Sequence, residues 1–587
     1  MFKGIFFLLK YAWKYEKKYI PYQIVLQILT ALIPIIDIVF PKYIIDEILR
    51  GDSLENVLYL ITGMIMLNLM ASMLSSFLEG RIFLLQGSIF TKFQTMMADT
   101  LSKSDFQRLE DPKFLDTKAK AEKFLYANGQ GFAVVLKNSF NILGKAFTFV
   151  GIIAVILTLN WWIVALFILL ILLDAWYESG IRKQNIQWDI NKAPIERKTS
   201  YFLDLIENFA FGKEIRIYNL KDWLVAKVNH HLLESEAFYK KQTKLLNRAQ
   251  YISVLLNFIL KGITYIYLAY CVIKSTIGIG DFTMYVNAMM NFSNAMKSLM
   301  ESVLDIRQFS GYYDALTDYL NVPQTMYQGK NLPLPEGPYE IEFCDVSFCY
   351  PGQKVNALSH ISLKLKYGEK LSIVGENGAG KTTFVKLLCR LYDPTQGKIT
   401  LNGMNIQDIN YDSYMGLICS VFQDYKLLAF TLKENVSFQH SNDVEDSYIT
   451  KLLEDSGLGE KVKKLSNGVN TYVYRTFSEE GFEPSGGEGQ KISLARAVYK
   501  DSPIMILDEP TAALDPRAEY EIYRKFSDLT KGKTTVFISH RMSSSKFCDH
   551  IAFFEDGQII EYGTHDELMD CNGKYKDLFD MQAQFYI

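Results

Sequence analysis

At 587 residues the chain is too long for one core, so two or more domains are expected. A net charge of −3 gives no sign of a nucleic-acid binder. Seven cysteines form no C-x-x-C pair, and six fall in the C-terminal half, which reads as reduced cytosolic thiols rather than a disulfide scaffold.

The first 18 residues read as a short amphipathic helix on the inner membrane face. Lys10, Lys14, Lys17 and Lys18 interrupt the run, and no small-residue cleavage site follows, so it is not a signal peptide. Apolar runs of about 20 residues suit a bilayer core roughly 30 Å thick. Six are found, at 20–40, 57–78, 142–159, 161–177, 252–273 and 282–302. Short loops join the first and second (Arg50-Gly51-Asp52), third and fourth (Asn160), and fifth and sixth (274–281). The other connections, 79–141 and 178–251, are long, polar, helix-prone and rich in Lys and Arg. The excess of positive charge places these, the N-terminus and the C-terminal domain in the cytosol. The long connections are expected to continue the spanning helices and to turn at a tip, near 111–116 and near 212–216.

Polar residues inside the spans form stripes. Asn287, Asn291, Asn294 and Ser298 share one face of the sixth span. Asn257, Lys261 and Tyr265 do so on the fifth, and Asn68, Ser72, Ser75 and Glu79 on the second. Two readings stand side by side: hydrogen bonds between helices, or a wet cavity that binds a polar solute. On the second reading Asn257, Lys261, Asn287, Asn291 and Asn294 are the candidate substrate contacts. Asp37 and Lys145 are expected to pair or to lie near an interface.

Prolines and a glycine punctuate a linker at 323–338, and a second domain follows at 339–587. Segments 339–350, 361–366 and 371–374 read as strands. The last runs into Gly375-Glu376-Asn377-Gly378-Ala379-Gly380-Lys381-Thr382, a G-x-x-x-x-G-K-[ST] phosphate loop, with Thr383 next. Its glycines let backbone N–H groups wrap phosphates, and the helix beginning near Lys381 adds its positive end. Lys381 is read as neutralising the phosphates of ATP and Thr382 as a ligand of Mg²⁺. The apolar strand 504–507 ends in Asp508, a Mg²⁺-side acid, and Glu509, which is placed to polarise the attacking water. Between these elements lies Ser485-Gly486-Gly487-Glu488, opening a helix-like run over 490–499. His540 follows the strand 535–539 and is read as reaching the γ-phosphate.

This ordered set resembles the ATP-binding cassette family, and six spans followed by one cassette look like an exporter half-transporter over the whole chain. The fold class so implied is a membrane α-helical domain of six transmembrane helices fused to a cytosolic α/β P-loop cassette. The resemblance makes Ser485, Gly486 and Gly487 the signature motif, which caps the γ-phosphate held by an opposite subunit, so a dimer is implied. It makes Gln423 the Q-loop residue that senses Mg²⁺, Tyr350 the aromatic that stacks on adenine, and Leu514-Asp515 the loop at the dimer seam. The loop tips become coupling helices. Four departures stand out: Pro484 where leucine is common, Glu488 where glutamine is common, Ala512 for a serine, and 476–481 lacking a Gly-Glu-Arg-Gly pattern. Intact Glu509 and His540 favour a homodimer over a heterodimer.

The implied function is ATP-driven export by alternating access, with a modified or antimicrobial peptide as substrate. The residues behind the peptide reading are Lys213-Glu214-Ile215-Arg216, Asp111-Pro112 with Phe114, and the asparagine stripes. No peptidase domain precedes the spans, so no leader cleavage is expected. Lipid or multidrug export is the alternative of the same class, and a regulatory or channel-like cassette protein that of another. A bacterial inner membrane is the expected location.

Overall fold

The computed structural model describes residues 2–51, 53–126, 131–158, 161–208, 211–327, 329–510, 530–539 and 542–584. Two compact units emerge. One comprises Met1–Ser102 and Lys113–Asn321, the other Lys103–Pro112 and Val322–Ile587.

The first unit is helical. Helix α1 (Phe2–Tyr15) buries Gly4, Leu8 and Ala12, spaced four apart, and leaves Phe2, Phe6 and Trp13 exposed. Among the described residues six helices have 27 residues or more: α2 (Tyr19–Arg50), α3 (Leu54–Lys103), α6 (Gly131–Leu157), α7 (Trp161–Glu207), α9 (Lys221–Ile273) and α10 (Ile279–Ser310). Each contains one of the six apolar runs, the third up to its last two residues. Of these, α2, α3, α6 and α9 are long and apolar enough, by length and composition, to cross a membrane. The polar stripe keeps α10 from the same standard, and many side chains of α7 lie outside the described residues. At 1.5 Å per residue, the 50 residues of α3 run about 75 Å. That is more than twice a bilayer core, so the spanning helices do continue beyond it. Large apolar side chains of α3, among them Tyr59, Met70, Met73 and Phe83, stay exposed, as a lipid-facing surface requires.

The short helices between are α4 (Phe106–Leu109), α5 (Pro112–Tyr126), α8 (Gly212–Ile217) and α11 (Tyr313–Leu320). Helix α8 coincides with the expected second tip. The first tip is α4, several residues before the expected 111–116, because Pro112 opens the returning helix α5 instead of forming the turn. Proline suits that first helical position, where its missing N–H costs nothing.

The stripes of polar residues resolve only in part into contacts between helices. Asn68 donates to Asp37 at 2.8 Å, tying α3 to α2. Ser293 of α10 donates to the Asn257 side chain of α9 at 2.6 Å, while Asn257 and Asn291 each donate to the carbonyl four residues back. Asn294 is exposed, and Asn287 is half-buried.

The second unit is α/β. One sheet has the order β2-β1-β4-β5, all antiparallel: β1 (Ile341–Phe348), β2 (Leu358–Leu365), β4 (Gln396–Leu401) and β5 (Met404–Asn405). The other has the order β10-β9-β3-β8-β7-β6: β3 (Lys370–Gly375), β6 (Ile418–Val421), β7 (Ile504–Asp508), β8 (Thr534–Ile538), β9 (His550–Glu555) and β10 (Gln558–Gly563). Its strands are parallel except for the pair β9–β10. Strands β7 and β8 are buried along their whole length, as parallel strands covered on both faces should be. Among the described residues its helices are α12 (Lys381–Leu388), α13 (Tyr411–Gly416), α14 (Leu432–Ser437), α15 (Asp446–Asp455), α16 (Gly459–Lys463), α17 (Gly486–Lys500), α18 (His565–Asp570) and α19 (Lys574–Gln584). The main core runs from Ile341 and Phe343 through Phe384 and Leu387 to Ile506 and Ile538, joining both sheets.

Segment 103–112 is part of this unit although the helices on either side belong to the first. Asp105, 3% exposed, accepts hydrogen bonds from Thr325 N–H and O–H and from Met326 N–H. Tyr392 donates to Glu110, and Phe106 lies edge-on to the Tyr392 ring. Arg390, 1% exposed, donates to the carbonyls of Ile409, Met326 and Gln407 at 3.0, 2.9 and 3.1 Å.

Candidate active site

Strands β3 and β7 lie in the same parallel sheet, one strand apart, and both deliver their C-terminal ends to one edge. Ligands of such sheets bind beyond the carboxyl ends of the strands. At the end of β3 the phosphate loop turns into α12. Gly375 has φ of 143°, and a Cβ there would meet the Phe554 carbonyl at 2.2 Å. Gly380 has φ of 99° and would press on Leu358 and the Ala357 carbonyl. Glycine is therefore obligatory at both positions.

Lys381 is 6% exposed, and its Nζ donates to the carbonyls of Gly375 at 2.9 Å and Glu376 at 2.8 Å, so the cation is folded back onto its own loop. Burial holds its pKa below the usual lysine range, against the upward pull of Glu509 and Asp508. Glu376, Asn377, Gly378 and Thr382 are exposed, whereas Ala379 and Thr383 are buried. Tyr350 and Thr383 share a hydroxyl hydrogen bond of 3.1 Å. Lys386, one turn along α12, sits over the rings of Tyr350, Tyr392 and Phe106 at 5.5, 5.6 and 5.8 Å.

Asp508 closes β7 and is 4% exposed. Burial, reinforced by the charge of Glu509, pushes its carboxyl up to about 6, with Lys381 pulling the other way. Glu509 follows with φ of 48°, a left-handed conformation that costs a non-glycine residue of order 1–3 kcal/mol. Three contacts hold it there. Its N–H donates to the Ile538 carbonyl, Gln423 donates to its carboxylate at 2.9 Å, and Gln490 donates to its carbonyl at 2.7 Å.

The signature segment opens α17 with Ser485 as N-cap. Its N–H donates to the Glu488 carboxylate at 2.8 Å, and the Glu488 N–H returns to the Ser485 hydroxyl at 3.3 Å, a reciprocal capping box. Glu488, one of the departures noted above, thus fixes the serine and receives Lys461 at 3.4 Å. Burial pushes its carboxyl up, but the hydrogen bonds from Ser485 and the charge of Lys461 carry it below the usual carboxylate range. Tyr425 donates to the Gly486 carbonyl at 2.7 Å.

The fold therefore brings Gln423 and Glu509 into contact, with Asp508 and Lys381 near enough to shift each other's ionisation. His540, Ala512 and Leu514-Asp515 lie outside the described residues. Gln490, Tyr425 and Lys386 support the site and were not singled out from the sequence. Gln490 had a signal, since it stands on the signature helix. Of the five substrate candidates, Asn257 and Lys261 line only a crevice of about 20 Å³ between α9 and α10.

Residues 358–512 match the sequence model of the ABC transporter family. A bacterial Atm1-family ABC exporter solved with ATP bound superposes with a TM-score of 0.79 over 97% of this chain and 98% of its own, at 18% identity, so the shared fold spans both units. Residues 358–512 are therefore an ABC transporter domain, and the whole chain has the fold of an ABC exporter, which couples ATP hydrolysis to transport in an integral membrane protein. Its particular kin can be named more closely. It is 28% identical to the subtilin transport ATP-binding protein SpaT of Bacillus subtilis over 94% of this chain and 89% of the relative. It is 26% identical to the nisin transport ATP-binding protein NisT of Lactococcus lactis over 97% and 95%. The ATP-dependent lipid A-core flippase of Photorhabdus laumondii is 34% identical, over 53% of this chain and 52% of its own.

Proposed function

We propose that this protein exports a ribosomally made, modified or antimicrobial peptide across a bacterial inner membrane, as a homodimer with its N-terminus and cassettes in the cytosol. The observation that carries the substrate is the extent of likeness: the subtilin and nisin transport proteins align along nearly the whole chain, the lipid A-core flippase along about half.

Two cassettes face each other in this reading, and Ser485, Gly486, Gly487 and Glu488 of one complete the site built on the phosphate loop of the other. Tyr350 stacks on adenine, and the backbone of 375–380 with Lys381, Thr382 and Thr383 receives the phosphates. Leaving its two carbonyl partners for the phosphates is the first thing Lys381 must do. Mg²⁺ suits the donors on hand: the exposed Thr382 hydroxyl, the Asp508 carboxylate and the Gln423 side-chain oxygen are hard oxygen ligands. Asp508, almost wholly buried and raised in pKa, gains a counter-charge there. The ion would neutralise charge building on the phosphates. Glu509 orients the attacking water, with Gln423 holding its carboxylate and His540 reaching the γ-phosphate. ATP drives the cycle by binding the closed cassette pair better than the open one, and α4 and α8 pass that difference to the spans.

The test is ATP turnover by the full-length protein in lipid nanodiscs, with Glu509→Gln as the blank and with ribosomal peptides or lipids added. Turnover of Glu509→Gln should fall at least about 100-fold while ATP is still bound. Residual turnover within a few-fold of wild type would remove Glu509 from this role. Stimulation by lipids and indifference to peptides would favour the flippase reading.

A further inference from the structure

A cavity of the helical unit lies between α7, α9 and α10 and measures about 870 Å³. Binding sites for organic ligands run from roughly 300 to 1,000 Å³, so several residues of a peptide fit. Its wall carries charges of both signs, Glu178 on α7 and Lys297, Glu301 and Arg307 on α10, with the Trp176 indole exposed at its side. Lys297, Glu301 and Arg307 make no ion pair among the described residues. Ser253 of α9 also lines it and donates to Asp174 at 2.9 Å.

Charged side chains within a spanning helix are expensive and mark functional paths. Their depth is informative on the proposed orientation. Counting 1.5 Å per residue from Phe282, Lys297 lies about 22 Å and Glu301 about 28 Å along the span, at the cytosolic edge of a core roughly 30 Å thick. The stripe Lys297, Glu301, Leu304, Gln308 steps by 4, 3 and 4 and lies beside the face of Asn287, Asn291 and Asn294, about one to four turns beyond Asn294 toward the cytosol. Higher up, Asn291 bonds along its own helix and Asn257 of α9 accepts from Ser293, whereas these lower groups line the open cavity. Acyl chains would ask for an apolar wall. Acids and bases side by side ask for a ligand that carries both charges and backbone amides.

We propose that this cavity is the cytosolic-side docking site for the transported peptide, with Glu178 and Glu301 taking its basic side chains and Lys297 and Arg307 its acidic ones. The assignment rests on the peptide-export reading.

Binding is measured on nucleotide-free full-length protein in nanodiscs, using a fluorescent synthetic 25-residue peptide of Leu, Lys and Glu and a version in which Gln replaces every Glu. Folding of each variant is checked by monodisperse elution and thermal midpoint. Glu301→Gln should weaken both peptides about tenfold, and Lys297→Gln only the Glu-bearing one, by a similar factor. Tyr59→Ala, on the exposed face of α3, should bind as wild type does. If wild type binds and the two cavity variants match it, this site assignment falls while the export reading stands. If wild type binds neither peptide, yet phosphatidylglycerol stimulates ATP turnover, the export reading falls and takes the assignment with it.

Discussion

Asp508→Asn should stabilise the nucleotide-free protein while abolishing its response to Mg²⁺ and ATP. Asp508 is 4% exposed, and burial together with the charge of Glu509 raises its carboxyl from the ordinary 3.8 to about 6. At about 1.4 kcal/mol per pKa unit, that rise is worth of the order of 3 kcal/mol. The sign follows from linkage: a carboxyl whose folded pKa exceeds its unfolded one favours the unfolded state once ionised. The cost is absent below about pH 4, grows between pH 4 and 6, and is complete above. Asparagine keeps the shape and removes the charge. For a unit of roughly 250 residues each kcal/mol moves the unfolding midpoint by about 2–4 °C, so the variant should melt about 6–12 °C higher at pH 7.5. The gap should shrink markedly at pH 4.5. Scanning fluorimetry of wild type and variant at the two pH values, with and without Mg²⁺-ATP, reads all of this. A variant that melts at or below wild type at pH 7.5 without nucleotide would refute the reasoning, because the buried charge would then be adequately solvated or paired.

Other substitutions probe other parts of the cassette. Arg390→Met strands three carbonyls, two of them buried, and should cost about 3–5 kcal/mol, seen as a midpoint lower by about 10 °C; an unchanged midpoint would mean those carbonyls find new donors. Lys381→Ala should raise the half-saturating ATP concentration by at least about tenfold in equilibrium binding, and unaltered binding would count against the phosphate loop. Tyr425→Phe, which frees the Gly486 carbonyl, should lower ATP turnover several-fold while ATP binding to the cassette stays constant; equal turnover would show that the signature helix needs no such brace.

What could be read from residues alone was whatever short-range chemistry dictates. Gly375 and Gly380 stand in the G-x-x-x-x-G-K-[ST] pattern, whose turn needs a positive φ at both, and the apolar strand ending in Asp508 announces its own terminus. Apolar runs marked the spans because a helix in lipid must be apolar over its length. Partners far apart in sequence were not legible. Gln423 is 86 residues from Glu509 and Tyr425 is 61 from Gly486, and no periodicity encodes such meetings. Polarity marked a special face of α10 but not what it meets: Asn257 found Ser293, and the open charges lay lower on the same helix. Pro112 misled because proline both breaks chains and begins helices, and only the fold shows which it does.

That residues 103–112 fold with the cassette has a consequence for inheritance. Cassettes look like interchangeable engines, cut and spliced at the linker after the last span. Here such a splice would leave behind the acid that grips Thr325 and Met326 and the carboxylate that receives Tyr392. A chimera between this chain and a distant relative should therefore be made in two cuts, with the ten-residue tip travelling alongside the engine it fits. Lineages that recombine at the linker alone would have to repair the mismatch, so Asp105 and Glu110 should track cassette ancestry rather than that of the helices around them.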